Sequence, residues 1–400
     1  EYTLILVDGK RQNTRETMNR GTTGVQANLL PPLSAIERIE VVRGPMSSLY
    51  GSDAMGGVIN IITRKVPDRW TGSASIGATV HEDSKYGNGS EGEFWLGGPI
   101  RDKVLGLQVY GRKSHRGEDD IFYPTPFVSG ANGTSDYRYG AKLTFRPSDQ
   151  HEFELDASTE ALEYRRTAGR SANPTGASTR TEYGRDAFGL THTGRWSFGK
   201  STLSIYREVA DQRNWSNGAR TTVTPEVTNS VIEGSVAVPF GDHLIRTGAQ
   251  YLKAEVEGIA RQDAVQGLPA NADRVAIDSW ALFLEDDYAI TDRFTLTAGA
   301  RVDHDDRYGN EFSPRIYGVY QLDGNWTLRG GLAEGFKAPT VRQSVGGYCM
   351  TTGGGTQAQQ AGFVPWRGQE RDPDRGVAGG QREAAPAAEI ADPGVPECAQ

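Results

Sequence analysis

Phe294-Thr295-Leu296-Thr297-Ala298-Gly299-Ala300-Arg301-Val302-Asp303 reads as two interleaved sequences. Phe294, Leu296, Ala298, Ala300 and Val302 are apolar or small, while Thr295, Thr297, Arg301 and Asp303 are polar. Successive side chains leave a pleated strand on opposite faces, so a period of two marks a strand buried on one side only. The same alternation recurs at Arg138–Arg146, where Tyr139, Ala141, Leu143 and Phe145 oppose Arg138, Lys142, Thr144 and Arg146. In Val104–Tyr110, Leu105, Leu107 and Val109 again share one face.

The connections between such segments alternate in length. Tight polar turns fall at Pro99–Lys103, Pro147–Gln150, Ser197–Lys200, Pro239–Asp242, Ile290–Arg293 and Leu322–Asn325. Between them lie longer excursions at 116–136, 166–182, 213–224 and 258–274. Short turns at one rim and long loops at the other describe an outer-membrane β-barrel. About 13 antiparallel strands are expected in residues 67–345, several long enough to cross a bilayer at a tilt. A β-propeller would need a repeated signature at a fixed period, and none is found.

Composition supports this mainly β reading. The 400 residues include 50 Gly, only four Met and 36% hydrophobic residues, with mean hydropathy −0.54. That is low for so large a buried core, and a barrel explains it because alternate side chains line a wet lumen. No run of about 18 apolar residues is present, so a membrane-spanning helix is excluded. A net charge of −8 offers no broad basic face to displace counterions from nucleic acid. The chain opens on strand-like Glu1–Val7 and closes on Cys398-Ala399-Gln400 in a Gly/Pro-rich stretch, so it is expected to be an internal fragment. Cys349 and Cys398 read as a disulfide in a surface protein, or else as two free thiols.

Residues 1–66 are organised differently. Leu4-Ile5-Leu6-Val7-Asp8-Gly9 is a strand ending in a turn, followed by the polar stretch Lys10–Thr23. Ile36–Arg43 is a second strand and leads through Gly44-Pro45 into Ser48-Leu49-Tyr50-Gly51-Ser52-Asp53-Ala54-Met55-Gly56-Gly57-Val58-Ile59-Asn60-Ile61-Ile62-Thr63. The glycines permit tight turns and close backbone approach, and Ile59–Ile62 supplies a strand to close a small sheet. The pattern lacks GxxxxGK[ST] and a following helix, which discounts a phosphate-cradling loop.

These residues resemble the plug domain of TonB-dependent outer-membrane receptors, in wording most like the catecholate siderophore receptors, including the ferric enterobactin and colicin I receptors. Gly335-Phe336-Lys337-Ala338-Pro339-Thr340 resembles a barrel strand end of the same family. The resemblance covers essentially residues 1–345 and implies three parts. Residues 1–66 are the C-terminal part of an α+β plug, 67–345 the first half of a transmembrane barrel of about 22 strands, and 346–400 a long extracellular loop. In ferric enterobactin receptors that loop carries a cysteine pair, although more closely spaced than Cys349 and Cys398.

The function implied is active uptake of a ferric siderophore across the outer membrane. The implied partners are TonB with its inner-membrane energising complex, outer-membrane lipid, the siderophore, and colicins or phages. Cobalamin or haem is the alternative cargo, and a passive porin or a ligand-sensing receptor the alternative of another class. A porin has no plug, which residues 4–65 argue against.

No enzyme chemistry is visible, and no resident cofactor is expected. The six His residues are scattered without metal-ligand spacing. Asp286-Asp287 and Asp303–Asp306 read as solvated charge, against a Ca²⁺ site. A trianionic ferric catecholate calls for cations and ring faces. Arg11, Arg15 and Arg20 in the plug excursion, Arg165, Arg166, Arg170 and Arg180 around one long loop, and Tyr123, Phe127 and Trp215 in neighbouring loops supply them. Converging over the plug apex, they would form the substrate site, the aromatics being equal contenders for the interfacial girdle. Arg43, by resemblance, makes a plug–barrel contact with partners beyond Gln400.

Overall fold

The computed structural model describes residues 3–12, 29–121, 130–221, 224–258, 274–307, 309–338, 350–352 and 357–359. Thr3–Val7 (β1), Lys10–Arg11 (β2), Ile36–Arg43 (β3) and Gly57–Thr63 (β4) form a four-stranded sheet in the order β2-β1-β4-β3. The turn from β1 to β2 takes only Asp8 and Gly9, with φ of 50° and 80°. Two consecutive residues in the left-handed region make a turn whose twist matches the strands it joins. A single helical turn, Ser47–Tyr50 (α1), precedes Gly51.

The second sheet begins at Thr71. Its strands are Thr71–Thr79 (β5), Gly89–Arg101 (β6), Leu105–Arg116 (β7), Gly133–Ser148 (β8), His151–Arg166 (β9), Thr179–Trp196 (β10), Gly199–Ser216 (β11), Ala219–Arg220 (β12) and Glu226–Phe240 (β13). They continue with His243–Glu257 (β14), Arg274–Thr291 (β15), Phe294–Asp305 (β16), Gly309–Gln321 (β17) and Thr327–Ala333 (β18). Sequential strands neighbour one another from β5 to β18, while β12 pairs only with β11 as a short hairpin. That path holds the 13 strands expected from the alternating segments, and all six tight turns lie where the sequence put them. Two of the long connections are shorter than read, because β8 starts at Gly133 and β10 at Thr179. Met350–Thr352 (β19) and Gln357–Gln359 (β20) pair as a small hairpin within the stretch expected to be loop.

The chain divides into two compact units. The N-terminal unit comprises Ile5–Glu40 and Ile59–Ile232, and the C-terminal unit Glu1–Leu4, Val41–Val58 and Glu233–Gln400.

In the N-terminal unit the large sheet is polar on its buried face and apolar on its exposed one. Gln108, Lys142, Thr144, Glu160, Arg185, Ser204 and Glu208 are buried, whereas Phe145, Phe188, Leu203 and Ile205 are 42–54% exposed. Period-two geometry enforces the split: Arg185 pairs across strands with Glu160, and Phe188 with Ala157. We refer to these as the inner and outer faces. Water would penalise such an outer face, while lipid favours it, and the pairing of neighbouring strands satisfies the backbone polar groups that lipid cannot. Where the inner face does turn apolar, Leu162, Tyr183 and Ala210 close around Leu29 of the preceding segment.

The C-terminal unit repeats the arrangement. Glu285, Thr297, Arg301 and Ser313 are buried, and Leu282, Leu284, Phe312 and Ile316 are 49–55% exposed.

Candidate functional site

Within the N-terminal unit, the β1–β2 hairpin is fastened to the inner face of the large sheet. Lys142 Nζ donates to Asp8 Oδ2 and to Thr63 Oγ1, both at 2.8 Å. Asp8 also accepts from the Thr63 amide (2.8 Å) and hydroxyl (2.7 Å). Burial works to raise the Asp8 carboxyl, but the Lys142 charge and these donors outweigh it and hold the group below the usual range. Two residues on, Lys10 pairs with Asp156. Arg138 Nη1 donates to the Leu30 carbonyl at 3.0 Å.

Deeper on the same face lies a charge ladder assembled by register. Arg185 meets Glu160 at 2.7 Å and Glu208 at 3.0 Å, and all three side chains are at most 5% exposed. Asn229 donates to the second Glu208 oxygen at 3.1 Å. Glu160, Arg185 and Glu208, with Asp8, Lys10, Arg11, Tyr110 and Tyr206, line a cleft between the hairpin and the sheet. The cleft can hold polar or charged matter, because buried charges are tolerated only when each has a partner.

At the rim of long loops two carboxylates act as clasps. Glu118 accepts from the Thr167 hydroxyl at 2.8 Å and from the Thr167 amide and Ser171 hydroxyl. Asp119 accepts from the Gly87 and Ala131 amides, each at 2.9 Å, and pairs with Arg116 at 2.5 Å. Burial tends to raise the Glu118 carboxyl, but the Ser171 and Thr167 donors and the Arg170 charge hold it below its ordinary 4.5. A carboxyl depressed by folding contributes stability above its ordinary value and loses it as pH falls through the folded value. Protection of the Thr167 amide in hydrogen exchange, corrected for intrinsic rates, is therefore expected to fall severalfold as pH is lowered from neutral through the depressed Glu118 carboxyl. Glu118→Gln should be weakly protected at every pH, and equal pH dependence in both proteins would refute the clasp.

The residues expected from the sequence to bind substrate do not all meet. Arg11 is buried beside the cleft, its amide donating to the Tyr206 hydroxyl at 3.4 Å. Arg166 donates to the Ser171 carbonyl at 3.2 Å, on the strand face that carries Tyr164 and Leu162. Arg170 lies in the turn after it, its amide donating to the Thr167 carbonyl at 3.0 Å. Arg165, Arg180 and Trp215 form one cross-strand rung, but of the outer face, at even spacing from Leu155, Phe188 and Ile205. They therefore point away from Arg11. Arg43 is exposed. Arg15, Arg20, Tyr123, Phe127, Cys349 and Cys398 lie outside the described residues. The sequence reading passed over Asp8, Glu160, Arg185 and Glu208; the available signal was a charge at an inward-facing position of an otherwise alternating strand.

The C-terminal unit contains its own junction, between the two motifs that the sequence singled out. Buried Arg301 donates to the Leu49 carbonyl (2.9 Å), Gln250 Oε1 (3.0 Å) and both oxygens of Asp303 (2.9 Å each). Gly51, at φ 70° and ψ −150°, lies beneath that guanidinium; a Cβ there would stand 2.9 Å from Arg301 Nη2. Lys337 pairs with Asp53, and the Ala338 amide donates to Ser52 Oγ at 3.0 Å.

Comparison with known proteins agrees with this architecture. The family description "TonB dependent receptor-like, beta-barrel" matches residues 70–371, and "TonB-dependent Receptor Plug Domain" matches residues 1–58. The iron-regulated outer membrane virulence protein of Vibrio cholerae serotype O1 is 37% identical over 360 residues, covering 88% of this chain and 52% of that protein. The ferric enterobactin receptor PirA of Pseudomonas aeruginosa is 29% identical, covering 88% and 54%. The crystal structure of the siderophore receptor PirA from Acinetobacter baumannii superposes with a TM-score of 0.77 at 26% identity, covering 87% of this chain and 55% of that one. The chain thus spans about half the length of the relatives it matches. A small plug-type sheet, a sheet of alternating strands with a polar inner face, and both family matches lead to one assignment: the chain belongs to the TonB-dependent receptors of the outer membrane.

Proposed function

We propose that the full-length protein takes up a ferric siderophore of the catecholate class, driven by TonB and its inner-membrane energising complex. The observation that carries this reading is the β1–β2 hairpin, ion-paired through Asp8 and Lys10 to the inner face at Lys142 and Asp156. A passive porin has no use for a domain held in this way, whereas a gated transporter needs one that polar contacts can hold and release. Relatives that are named siderophore receptors support the cargo. The iron chelate is substrate, and no resident cofactor is assigned.

Arg11, Arg166 and Arg170 are the described cations suited to an anionic chelate; Arg15 and Arg20 join them by resemblance, and Tyr123 as a ring in a neighbouring loop of the sequence. Arg165, Arg180 and Trp215 are given no part in binding, because period-two geometry turns them outward.

Uptake of iron-loaded enterobactin, in a strain lacking other receptors and carrying the full-length gene, tests the proposal. Each charge-assisted hydrogen bond is worth about 1.5–3 kcal/mol, so replacing Arg11 and Arg166 together with alanine should lower uptake at least tenfold at equal outer-membrane levels. Deleting TonB should abolish it. Unchanged uptake in the double variant would remove these residues from the site. Uptake of cobalamin or haem in place of every catecholate would replace the cargo, and uptake independent of TonB would leave a porin.

A further inference from the structure

The outer face of the N-terminal unit changes character toward the long loops. Its exposed apolar belt, with Phe188, Leu203 and Ile205, gives way to Tyr139 and Tyr137, whose rings stack at 5.6 Å. Farther along, the strand register brings Glu163, Glu182 and Arg213 into one rung and Arg165, Arg180, Trp215 and Arg220 into the next. The last rung contains three guanidinium groups and an indole, with no carboxylate, in a chain of net charge −8.

Its geometry is fixed from below. Glu163 meets Arg165 and Arg180, each at 2.8 Å, and Glu182 meets Arg180 at 2.9 Å and Arg213 at 3.3 Å. The Arg180 guanidinium lies 4.4 Å from the Trp215 ring centre and that of Arg220 6.0 Å away. The carboxylates thus hold the row of cations in place, yet the Arg165 and Arg180 side chains remain 59% and 42% exposed. Among the described residues Arg220 has no carboxylate partner; its Nη2 donates to Thr224 Oγ1 at 3.2 Å.

Long loops mark the outward rim of a transmembrane barrel, so this rung stands beyond the apolar belt, on the side of the outer-leaflet headgroups. Tyr and Trp favour that depth, and arginines there keep their stems on apolar surface and their charges in the polar layer. Planar guanidinium groups side by side match the paired oxygens of a phosphate ester. We propose that Arg165, Arg180, Trp215 and Arg220 form a binding site for the phosphorylated headgroup of an outer-leaflet lipid. The rung shares its face with the lipid-facing belt, the Glu163 and Tyr137 rungs lying between them, which favours a lipid over a soluble phosphate, since a headgroup held here could keep its acyl chains on the belt beneath those rungs.

The test uses the full-length protein in detergent micelles, titrated with bisphosphorylated lipid A, phosphatidylcholine or inorganic phosphate, with bound lipid counted by native mass spectrometry. Lipid A should be retained, more weakly at high salt, and phosphatidylcholine should not. Arg165→Ala, Arg180→Ala and Arg220→Ala combined should weaken lipid A retention at least tenfold. Arg220→Ala alone, which unpairs no carboxylate among the described residues, should weaken it severalfold with the heat-induced mobility shift unchanged. Retention of lipid A by the triple variant, equal retention of phosphatidylcholine, or displacement by inorganic phosphate at equal concentration would each overturn the site.

Discussion

Replacing Arg185 with methionine in the full-length protein is expected to cost about 3–5 kcal/mol of stability, because it removes a buried guanidinium that pairs with two buried carboxylates. Glu160 and Glu208 are 2–3% exposed at the side chain, and both pair with this guanidinium. Methionine matches the length of the arginine stem, so the loss comes from charge more than from a cavity. Adding Glu160→Gln and Glu208→Gln to the same protein should recover most of it, since neutral amides need no counter-ion. Urea midpoints of the three proteins refolded into lipid vesicles provide the measurement. A single variant as stable as the parent, or a triple variant no better than the single, would show that the ladder is not held by Arg185.

The second large effect is expected at Gly51, where valine should destabilise the full-length protein by more than about 2 kcal/mol. Two costs combine. The backbone at φ 70° and ψ −150° belongs to a region that only glycine occupies without strain. The new side chain also displaces Arg301 from the Leu49 carbonyl and from Gln250. The two costs can be separated by making Gly51→Val in an Arg301→Ala background, where only the backbone cost remains. If valine costs as much in both backgrounds, the guanidinium contributes nothing at this position.

Most of the fold was legible because its signal is local. Phe294–Asp303 alternates over ten residues, and β16 covers Phe294–Asp305. The turn positions needed only a short polar cluster between two such stretches. Loop boundaries were harder. Between Thr179 and Glu182 the outer face has left the hydrocarbon, so Arg180 and Glu182 remove the polar–apolar contrast while the strand itself continues.

The site was legible only in part, for a different reason. Glu160, Arg185 and Glu208 come from three strands, and only the register puts them on neighbouring positions. Their burial gives no sign in the composition of any one segment. For Arg165 and Arg180 the information was present: counting in twos from Leu155 and from Phe188 puts both on the outer face. Grouping them with Arg11 by charge alone ignored that count.

The division of polar and apolar residues between two faces also limits how this sequence can change in length. Deleting one residue from the middle of β10 would leave half of its 18 positions in phase and throw the other half out. Arg185 or Phe188 would then exchange surroundings, and a charge moved into the middle of the hydrocarbon costs about 2–4 kcal/mol. Losing two adjacent residues restores the phase at the expense of one rung. Lineages descended from such a gene should accordingly carry strand insertions and deletions in even numbers, while the long loops vary by any number at all.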